Sequence, residues 1–204
     1  MKLIKFFVMI VTLFSSLFCY AATKTEKQIV ELKYEAKSNK PEKQKSTQKK
    51  STQTGKKKTT APAPQYNCKV DVESFLDLRA NQQTLGATFN KPLISNDVSN
   101  WLETIRNDEL IAKTKNWVGT KNLILKPQLK KLYSYAESMN IHGVVSMEIE
   151  FWIDGKQVKS IYYRGMGSKM NAWNALYEYG IALNYGVHEI APKILADIKS
   201  TCAP

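Results

Sequence analysis

The sequence predicts an α+β domain, with a small, mostly antiparallel sheet and two helices packed on one face, preceded by a disordered basic stalk. Three observations lead to this fold class. The chain opens with an export-type leader and a lysine-rich stretch, and segments with strand and helix periodicity alternate further along. An Asp154-Gly155 turn joins two of the strands. The expected boundaries are 1–22 for a signal peptide, 23–66 for a disordered linker and 67–204 for the domain.

The start of the chain has the organisation of a secretory leader. Two lysines precede an apolar run from Phe6 to Phe18, which is shorter than the ~20 residues that a membrane-spanning helix needs. Small residues follow, so cleavage is expected after Ala21 or Ala22, with an uncleaved anchor as the alternative. Cys19 raises a second alternative, a lipid anchor, but Phe18 is bulky where a lipoprotein signal has a small residue, and this argues against lipidation.

The stretch between leader and domain is strongly basic. It carries 12 lysines and 4 glutamates, and therefore 8 of the 12 net positive charges of the chain. With few large apolar side chains it cannot bury enough surface to offset the entropy of ordering, although residues 25–36 suit a transient helix. Because the leader directs it away from nucleic acid, the stretch is either a solvated spacer or a contact to anionic lipid, lipopolysaccharide or wall polymer. The densest lysine group is Lys56, Lys57 and Lys58.

The first half of the domain predicts a strand, a helix and a second strand. Val70 and Val72 alternate with polar residues, as in a half-buried strand. Helical spacing follows, capped by Ser95 or Asn96. One apolar side of that helix contains Val98, Trp101, Leu102, Ile105 and Leu110. The next apolar segment returns to strand, and Pro127 within it favours an edge position or a bulge.

The clearest signal is a β-hairpin around Asp154-Gly155. Counting outward from this two-residue turn pairs Glu150 with Lys159 on an outward, solvated face. The residues expected to face the core are Val145, Met147, Ile149, Phe151 and Ile153. Trp152 lies on the opposite face and is the best candidate for an exposed contact with a partner.

The last part of the chain predicts a turn and a helix. The glycine-rich residues 164–169 are expected to form a tight strand-to-helix turn, with a phosphate-holding loop as the alternative. A helix is expected from about 171 to 200, weakened between Gly186 and Pro192 because proline lacks the N–H of a helical hydrogen bond. The aromatic residues of this region are expected to fill the core between sheet and helix.

Two cysteines remain once the leader is removed, Cys68 and Cys202, one at each end of the part expected to fold. In an oxidising compartment such a pair is expected to form a disulfide. By the chain-entropy argument, closing a loop of this length contributes roughly 4–5 kcal/mol to stability.

No catalytic, cofactor or metal site is expected, so the chain is not predicted to be an enzyme. Glu148 and Glu150 share a strand face as a general acid and base would, but Lys159 is expected opposite them, which is typical of an ordinary charged sheet face. His142 and His188 have no cysteine or carboxylate at ligand spacing.

A series of short motifs spans residues 68–204. They are Val70 and Val72, Asp77 and Arg79, Gly86, the helix from Trp101 to Leu110, the strand from Leu123 and Leu125 to Leu132 and Tyr135, the Asp154-Gly155 hairpin and the final Leu195-Ala196-Asp197-Ile198. With these motifs the chain resembles the YajG-like periplasmic lipoproteins of Gram-negative bacteria. The resemblance implies a small exported protein without enzymatic activity, similar in fold to accessory lipoproteins of envelope transport systems.

Two classes of function follow for such an exported chain. The first is a periplasmic envelope protein that acts as a non-enzymatic interaction or structural module on a basic tether, with an envelope protein as partner. The second is a binding module for an anionic glycan or lipid, with the lysine-rich tail as electrostatic anchor. Salt-dependent retention on membranes would favour the second class, and salt-resistant co-purification of a protein would favour the first.

Overall fold

The computed structural model describes residues 26–37, 66–88, 91–171, 173 and 175–203. These residues form an α+β fold, in which one mixed sheet packs against two helices. The predicted fold class is confirmed. The sheet is mixed rather than mostly antiparallel, because three short strands pair parallel to one long strand.

The strands in chain order are β1 (Gln28–Ile29), β2 (Cys68–Val72), β3 (Leu76–Asp77), β4 (Gly86–Thr88), β5 (Lys91–Ile94), β6 (Lys121–Glu137), β7 (Asn140–Ile153) and β8 (Lys156–Met170). Helix α1 is α-helical over Val98–Ile105, widens to a π-helix over Arg106–Ile111 and ends with a short α-helical segment over Ala112–Thr114. Helix α2 spans Tyr177–Thr201.

Three long strands, β6, β7 and β8, form an antiparallel meander at one side of the sheet. On the other side of β6, the strands β2, β3 and β4 pair with it one after another. Strand β5 then joins β4, and β1 joins β5. Among the described residues, the longest strand order is therefore β1-β5-β4-β6-β7-β8, while β2 and β3 pair only with β6.

Pro127 lies in the interior strand β6, at the place where its neighbour changes from β2 to β3. The carbonyl groups of Leu125 and Leu129 accept hydrogen bonds from Glu73 and Leu78 of that neighbouring segment. Because backbone direction alternates along a strand, Pro127 faces the gap between those two contacts. The N–H that proline lacks is therefore not needed, which explains how β6 accepts it without being an edge strand.

The predicted β-hairpin is present, but its register changes after two pairs. Asp154 and Gly155 both have positive φ, as the two-residue turn requires. A β-bulge then inserts one residue into β8, so Phe151 pairs with Lys159. The predicted Glu150–Lys159 pair is wrong for this reason. Lys159 instead lies over the Phe151 ring, 4.4 Å from its centre.

The inward face of β7 matches the sequence prediction in four of its five residues. Val145, Met147, Ile149 and Phe151 are buried in the core, whereas Ile153 next to the turn is half-buried. All five apolar residues predicted for α1 are buried as well. The cap of α1 differs from the prediction: the helix starts after Asp97, without a side-chain cap.

Residues 164–169 belong to β8 and not to the predicted turn. Their two glycines, with Gly143 of β7, lie on the inner face beneath α2. A Cβ at Gly165 or Gly167 would overlap a backbone oxygen of α2, and one at Gly143 would overlap the α2 backbone. The glycines therefore allow α2 to pack with its backbone against the sheet. Helix α2 continues through Pro192, so the predicted weakening there is not observed.

The N-terminal strap, residues 26–37, is part of the folded unit. Val30, Leu32 and Tyr34 are buried, and the N–H of Val30 donates to the carbonyl of Ile94 at 2.8 Å. This placement differs from the predicted linker over 23–66 and from the transient helix. The strap is extended because its apolar residues recur at every second position, which suits a strand and not a helix.

The predicted disulfide between Cys68 and Cys202 is confirmed, with a Cα–Cα distance of 5.3 Å. Beside it, the N–H of Asn67 donates to the carbonyl of Cys202 at 2.8 Å. The bond thus ties the start of β2 to the residue that follows α2.

Candidate functional site

The predicted contact residue Trp152 lies on the outer face of the sheet and is half-buried. Its Nε1 donates to Glu150 at 2.9 Å, and the amine of Lys126 lies 4.7 Å from the ring centre. Neighbours on its own face therefore hold the indole, and its role in binding stays a prediction. The lysines Lys56, Lys57 and Lys58 lie outside the described residues, as do the leader and Cys19.

The two carboxylates on the outer face are engaged by their neighbours. Glu148 accepts hydrogen bonds from Ser160 at 2.7 Å and pairs with Lys130 at 2.9 Å, while Glu150 accepts from Gln128 at 3.0 Å. The hydrogen bond from Ser160, followed by the contact with Lys130, holds the pKa of Glu148 below its usual range. A carboxyl group of this kind is ionised at neutral pH and is poorly suited to donate a proton.

His142 lies between a hydroxyl and a carboxylate on the outer face. Its Nδ1 is 2.7 Å from Ser168 Oγ, and its Nε2 is 3.9 Å from Glu137. The sequence hydroxyl, imidazole and carboxylate resembles a catalytic triad of nucleophile, base and acid. However, the 3.9 Å between His142 Nε2 and Glu137 is too long for the hydrogen bond that would orient the ring. Within the described part of the chain, no three His, Cys, Asp or Glu residues are grouped to hold a metal.

The most distinctive surface of the fold is the free edge of β8. This 15-residue strand pairs with β7, and no other described segment pairs with it. The N–H of Met166 points away from β7 and donates to Glu189 Oε2 at 2.9 Å. Because pairing is regular from Lys159 to Met170, the other even-numbered residues there direct their backbone groups outward in the same way.

Apolar side chains follow this edge. Val158, Tyr162, Met166 and Met170 are each more than half exposed, and Trp173 beyond the strand is 90% exposed. Isolated exposed apolar residues are ordinary, but a row along an unpaired strand is typical of an interaction surface. The sequence predicted the first part of this strand as half of the hairpin, but it assigned residues 164–169 to a turn because of their glycines. The alternation of Ile161, Tyr163, Gly165 and Gly167 on one face was the signal that would have revealed the rest of the strand.

A groove of about 710 Å³ lies beside the free edge, and we call it the edge groove. Three elements line it: Met166, Gly167 and Ser168 of β8, Glu35, Ala36 and Lys37 of the strap, and Ile181, Asn184, Tyr185, His188 and Glu189 of α2. Its volume lies within the range of protein sites that take small molecules or side chains.

The strap wall of the edge groove is fixed to α2 by repeated hydrogen bonds. Asn184 Nδ2 donates to the carbonyl of Lys33 at 2.7 Å, and His188 Nε2 donates to the carbonyl of Glu35 at 2.8 Å. Two residues of extended chain span about 6.6 Å and four residues of helix about 6.0 Å. This near match lets one helix face bind alternate carbonyls of the strap.

The strap is also fixed to α1, through Tyr34. Its hydroxyl donates to Glu109 Oε1 at 2.7 Å, within the π-helical segment, and Glu109 pairs in turn with Lys113. Burial, together with the hydrogen bond to Glu109, raises the pKa of Tyr34. Trp101 of α1 donates to Asn184 at 2.8 Å, so the strap and both helices share one polar network.

The charge along β8 is of one sign. The strand has four basic residues, Lys156, Lys159, Arg164 and Lys169, and no acidic one. Lys159 lies 3.8 Å from Asp197, whereas neither Arg164 nor Lys169 has an ion pair within the described residues. Glu189 at the same edge is neutralised by Lys193 at 2.8 Å. The hydrogen bond from Lys193, followed by that from Met166 N–H, lowers the pKa of Glu189.

Neither α1 nor α2 is apolar over a stretch long enough to cross a lipid bilayer, a statement confined to the described residues.

The chain matches no protein-family model and no curated protein sequence. Solved structures similar to it include protein XCC0632 from Xanthomonas campestris, of the DUF330 family, at 8% identity and a TM-score of 0.47, over 70% of this chain and 88% of that one. Lipoprotein GNA1162 from Neisseria meningitidis is similar at 9% identity and a TM-score of 0.27, over 66% of this chain and 99% of that one. A minor lipoprotein from Acinetobacter baumannii is similar at 11% identity and a TM-score of 0.33, over 64% of this chain and 94% of that one.

Proposed function

We propose that this chain is an exported protein of the bacterial envelope that acts as a non-enzymatic interaction module on a basic tether, in the manner of the YajG-like proteins. The observation that supports this most is the free edge of β8, a 15-residue strand with a row of exposed apolar side chains and a groove beside it. Natural sheets usually cover or shorten such edges because they pair with other chains. A long open edge on a well-packed scaffold suits the binding of another protein.

Location in an oxidising compartment rests on two features. The first is the secretory leader read from residues 1–22. The second is the disulfide between Cys68 and Cys202, because structural disulfides persist mainly outside the cytoplasm. Together they favour the periplasm, with the domain held near its partner by the lysine-rich tether.

Site-specific photo-crosslinking in intact cells tests this function. A photoreactive residue replaces Tyr162 on β8, which is 52% exposed, or, as a control, the more exposed Val118 in the connection before β6. Position 162 is expected to give a discrete adduct with an envelope protein, and position 118 is not. Equal adducts at both positions, or a chain recovered from the cytoplasm with both thiols free, would contradict the proposal.

A second candidate function is binding of an anionic glycan or lipid, with the lysine-rich tail as anchor. The basic character of β8 and the exposed ring of Trp173 favour it. In that case the protein sediments with anionic vesicles at low salt and is released at high salt, since surface charge contacts are screened. Replacing Lys56, Lys57 and Lys58 by glutamine is expected to weaken sedimentation, while neutral vesicles serve as the control.

A further inference from the structure

We propose that the free edge of β8 binds an acidic, extended polypeptide segment, which adds to the sheet as a further strand and places its inward side chains in the edge groove. This inference rests on the proposed function and specifies the chemistry of the partner. Three independent properties of the edge lead to it: its backbone geometry, the shape of the groove and the sign of its charge.

The backbone geometry of the edge matches a polypeptide better than any other ligand. Tyr162, Arg164 and Ser168 direct their N–H and C=O groups away from β7, at the regular spacing of a strand. Added strands use such rows of donors and acceptors for affinity and the flanking pockets for specificity. A lipid surface or a glycan has no matching row of amide groups.

The groove accepts the side chains that an added strand would turn inward. It lies between β8 and the end of the strap, with Ile181 and Tyr185 of α2 as its apolar floor. At its β8 wall, Gly167 packs directly against Ala182 and Tyr185 of α2, so the helix and the strand meet there without a gap. On the outer face, Tyr162 and Met166 would flank the opposite side chains of the added strand. Apolar residues are therefore expected to alternate with polar ones in the partner.

The charge of the edge selects an acidic partner. β8 carries four basic residues and no acidic one. The chain segment 38–65 carries eight lysines and one glutamate, so it has the same sign as the edge and is disfavoured as its occupant.

A second copy of the chain is also disfavoured as the occupant. Antiparallel pairing of β8 with itself about Arg164 would place Arg164 beside its symmetry mate and Lys159 opposite Lys169, and like charges directly opposite are destabilising.

Glu189 occupies one position along this edge before a partner binds. Its carboxylate accepts the N–H of Met166, the contact that an added strand would replace. The side chain is exposed enough to swing away, and Lys193 remains its partner. Glu189→Ala is therefore expected to tighten peptide binding, because a competitor for the Met166 N–H is removed.

The test uses the protein purified from the periplasm with its disulfide intact. The probes are the labelled peptides EVEVEVE, KVKVKVK and EVEPEVE, together with polyglutamate and phosphatidylglycerol vesicles. We expect EVEVEVE to bind, with amide shifts confined to β8 and the edge groove. We expect KVKVKVK not to bind, because its lysines have the same charge as the basic edge. EVEPEVE fails because proline lacks an N–H and disturbs strand pairing.

Two variants of one residue separate backbone pairing from charge. Ser168→Pro removes an outward N–H without removing a bond to β7, and edge strands tolerate proline at such a position. Ser168→Ala keeps that N–H and loses only the hydroxyl. Binding of EVEVEVE is expected to be lost in Ser168→Pro and kept in Ser168→Ala. Unchanged melting temperatures show that both variants fold.

A charge-reversal variant tests the preference for an acidic peptide. Arg164→Glu is expected to weaken EVEVEVE and to improve KVKVKVK, and it adds no backbone change. Equal binding of EVEVEVE and EVEPEVE, binding of polyglutamate or vesicles alone, or no binding at all would each overturn strand addition. These outcomes would overturn strand addition only. The proposed function is tested separately, by the crosslinking at position 162.

Discussion

The two ends of the strand order from β1 to β8 are built in opposite ways. At one edge, β5 has four residues, includes Pro92 and is covered by the strap, with Lys91 paired to Glu26 at 2.6 Å. At the other edge, β8 has 15 residues and no described segment pairs with it. Short strands, proline and covering segments are the ordinary protections against unwanted pairing. The difference is in keeping with the proposal that the β8 edge binds a partner, whereas the strap closes the β5 edge.

The largest expected effect comes from the packing that supports the open edge. Gly165→Val would drive a side chain into the backbone of α2, where a Cβ already overlaps the carbonyl oxygen of Gly186. We expect a loss of more than about 3 kcal/mol in the free energy of unfolding, measured with urea, because close-packed cores tolerate overpacking poorly. Arg164→Val, on the exposed face of the same strand, serves as control and should cost little. Equal losses in the two variants would contradict this packing.

The closed edge depends on the buried residues of the strap. Leu32 is 6% exposed and lies against Gly180 of α2. Leu32→Ala is expected to lower the free energy of unfolding by about 2–3 kcal/mol, as for other large-to-small core changes. The neighbouring Lys33→Ala keeps the carbonyl that Asn184 binds and removes only an exposed side chain. A cost of Leu32→Ala no greater than that of Lys33→Ala would show that the strap does not close this edge.

Alkaline pH is expected to weaken the closed edge through Tyr34. Burial and the hydrogen bond to Glu109 raise the pKa of this tyrosine, so its contribution is full below the unfolded-state pKa of about 10 and declines as pH rises above it. Near pH 11 the loss is roughly 1–1.5 kcal/mol, measured as unfolding free energy against pH. Tyr34→Phe should be less stable at neutral pH but should show a shallower alkaline decline. An unchanged slope in the variant would rule out Tyr34 as the group responsible.

The smallest expected effect concerns the turn that leads into the open edge. Gly155 has a φ of 81°, and a Cβ there would meet no neighbouring atom. Gly155→Ala should therefore cost about 1 kcal/mol for backbone strain alone. Gly155→Asn should cost less, because asparagine tolerates this conformation better. Thermal melting of the two variants measures the difference, and a larger loss for asparagine would contradict a purely conformational cause.

The local features of the fold could be predicted from the sequence, whereas features that depend on distant partners could not. Asp154-Gly155 specifies its turn within two residues, and the apolar side of α1 follows from spacing alone. The bulge that pairs Lys159 with Phe151 instead of Glu150 depends on how β8 packs against the rest of the fold. The strap was missed because Val30, Leu32 and Tyr34 are three apolar residues in a polar stretch, and their alternation becomes informative only with α2 beside them.

The candidate site was the least predictable part. Glycines mark turns, bulges and close backbone approach alike, so residues 164–169 could not be assigned to a strand from composition. Whether a strand lies at an edge is a property of the topology, which the sequence of β8 does not contain. Trp152 was singled out for its outward position, but its contacts with Glu150 and Lys126 come from neighbours that only the sheet register brings together.

Amide hydrogen exchange, followed residue by residue, tests the open edge most directly. In the isolated protein, the amides of Tyr162, Arg164 and Ser168 should exchange rapidly, because their N–H groups point away from β7. Those of Tyr163 and Gly165, which point toward β7, should be protected as in an interior strand. The account predicts this alternation along β8 and its disappearance when an acidic strand peptide binds. Protection of Tyr162, Arg164 and Ser168 in the isolated protein would show that the edge is already covered and would contradict the account.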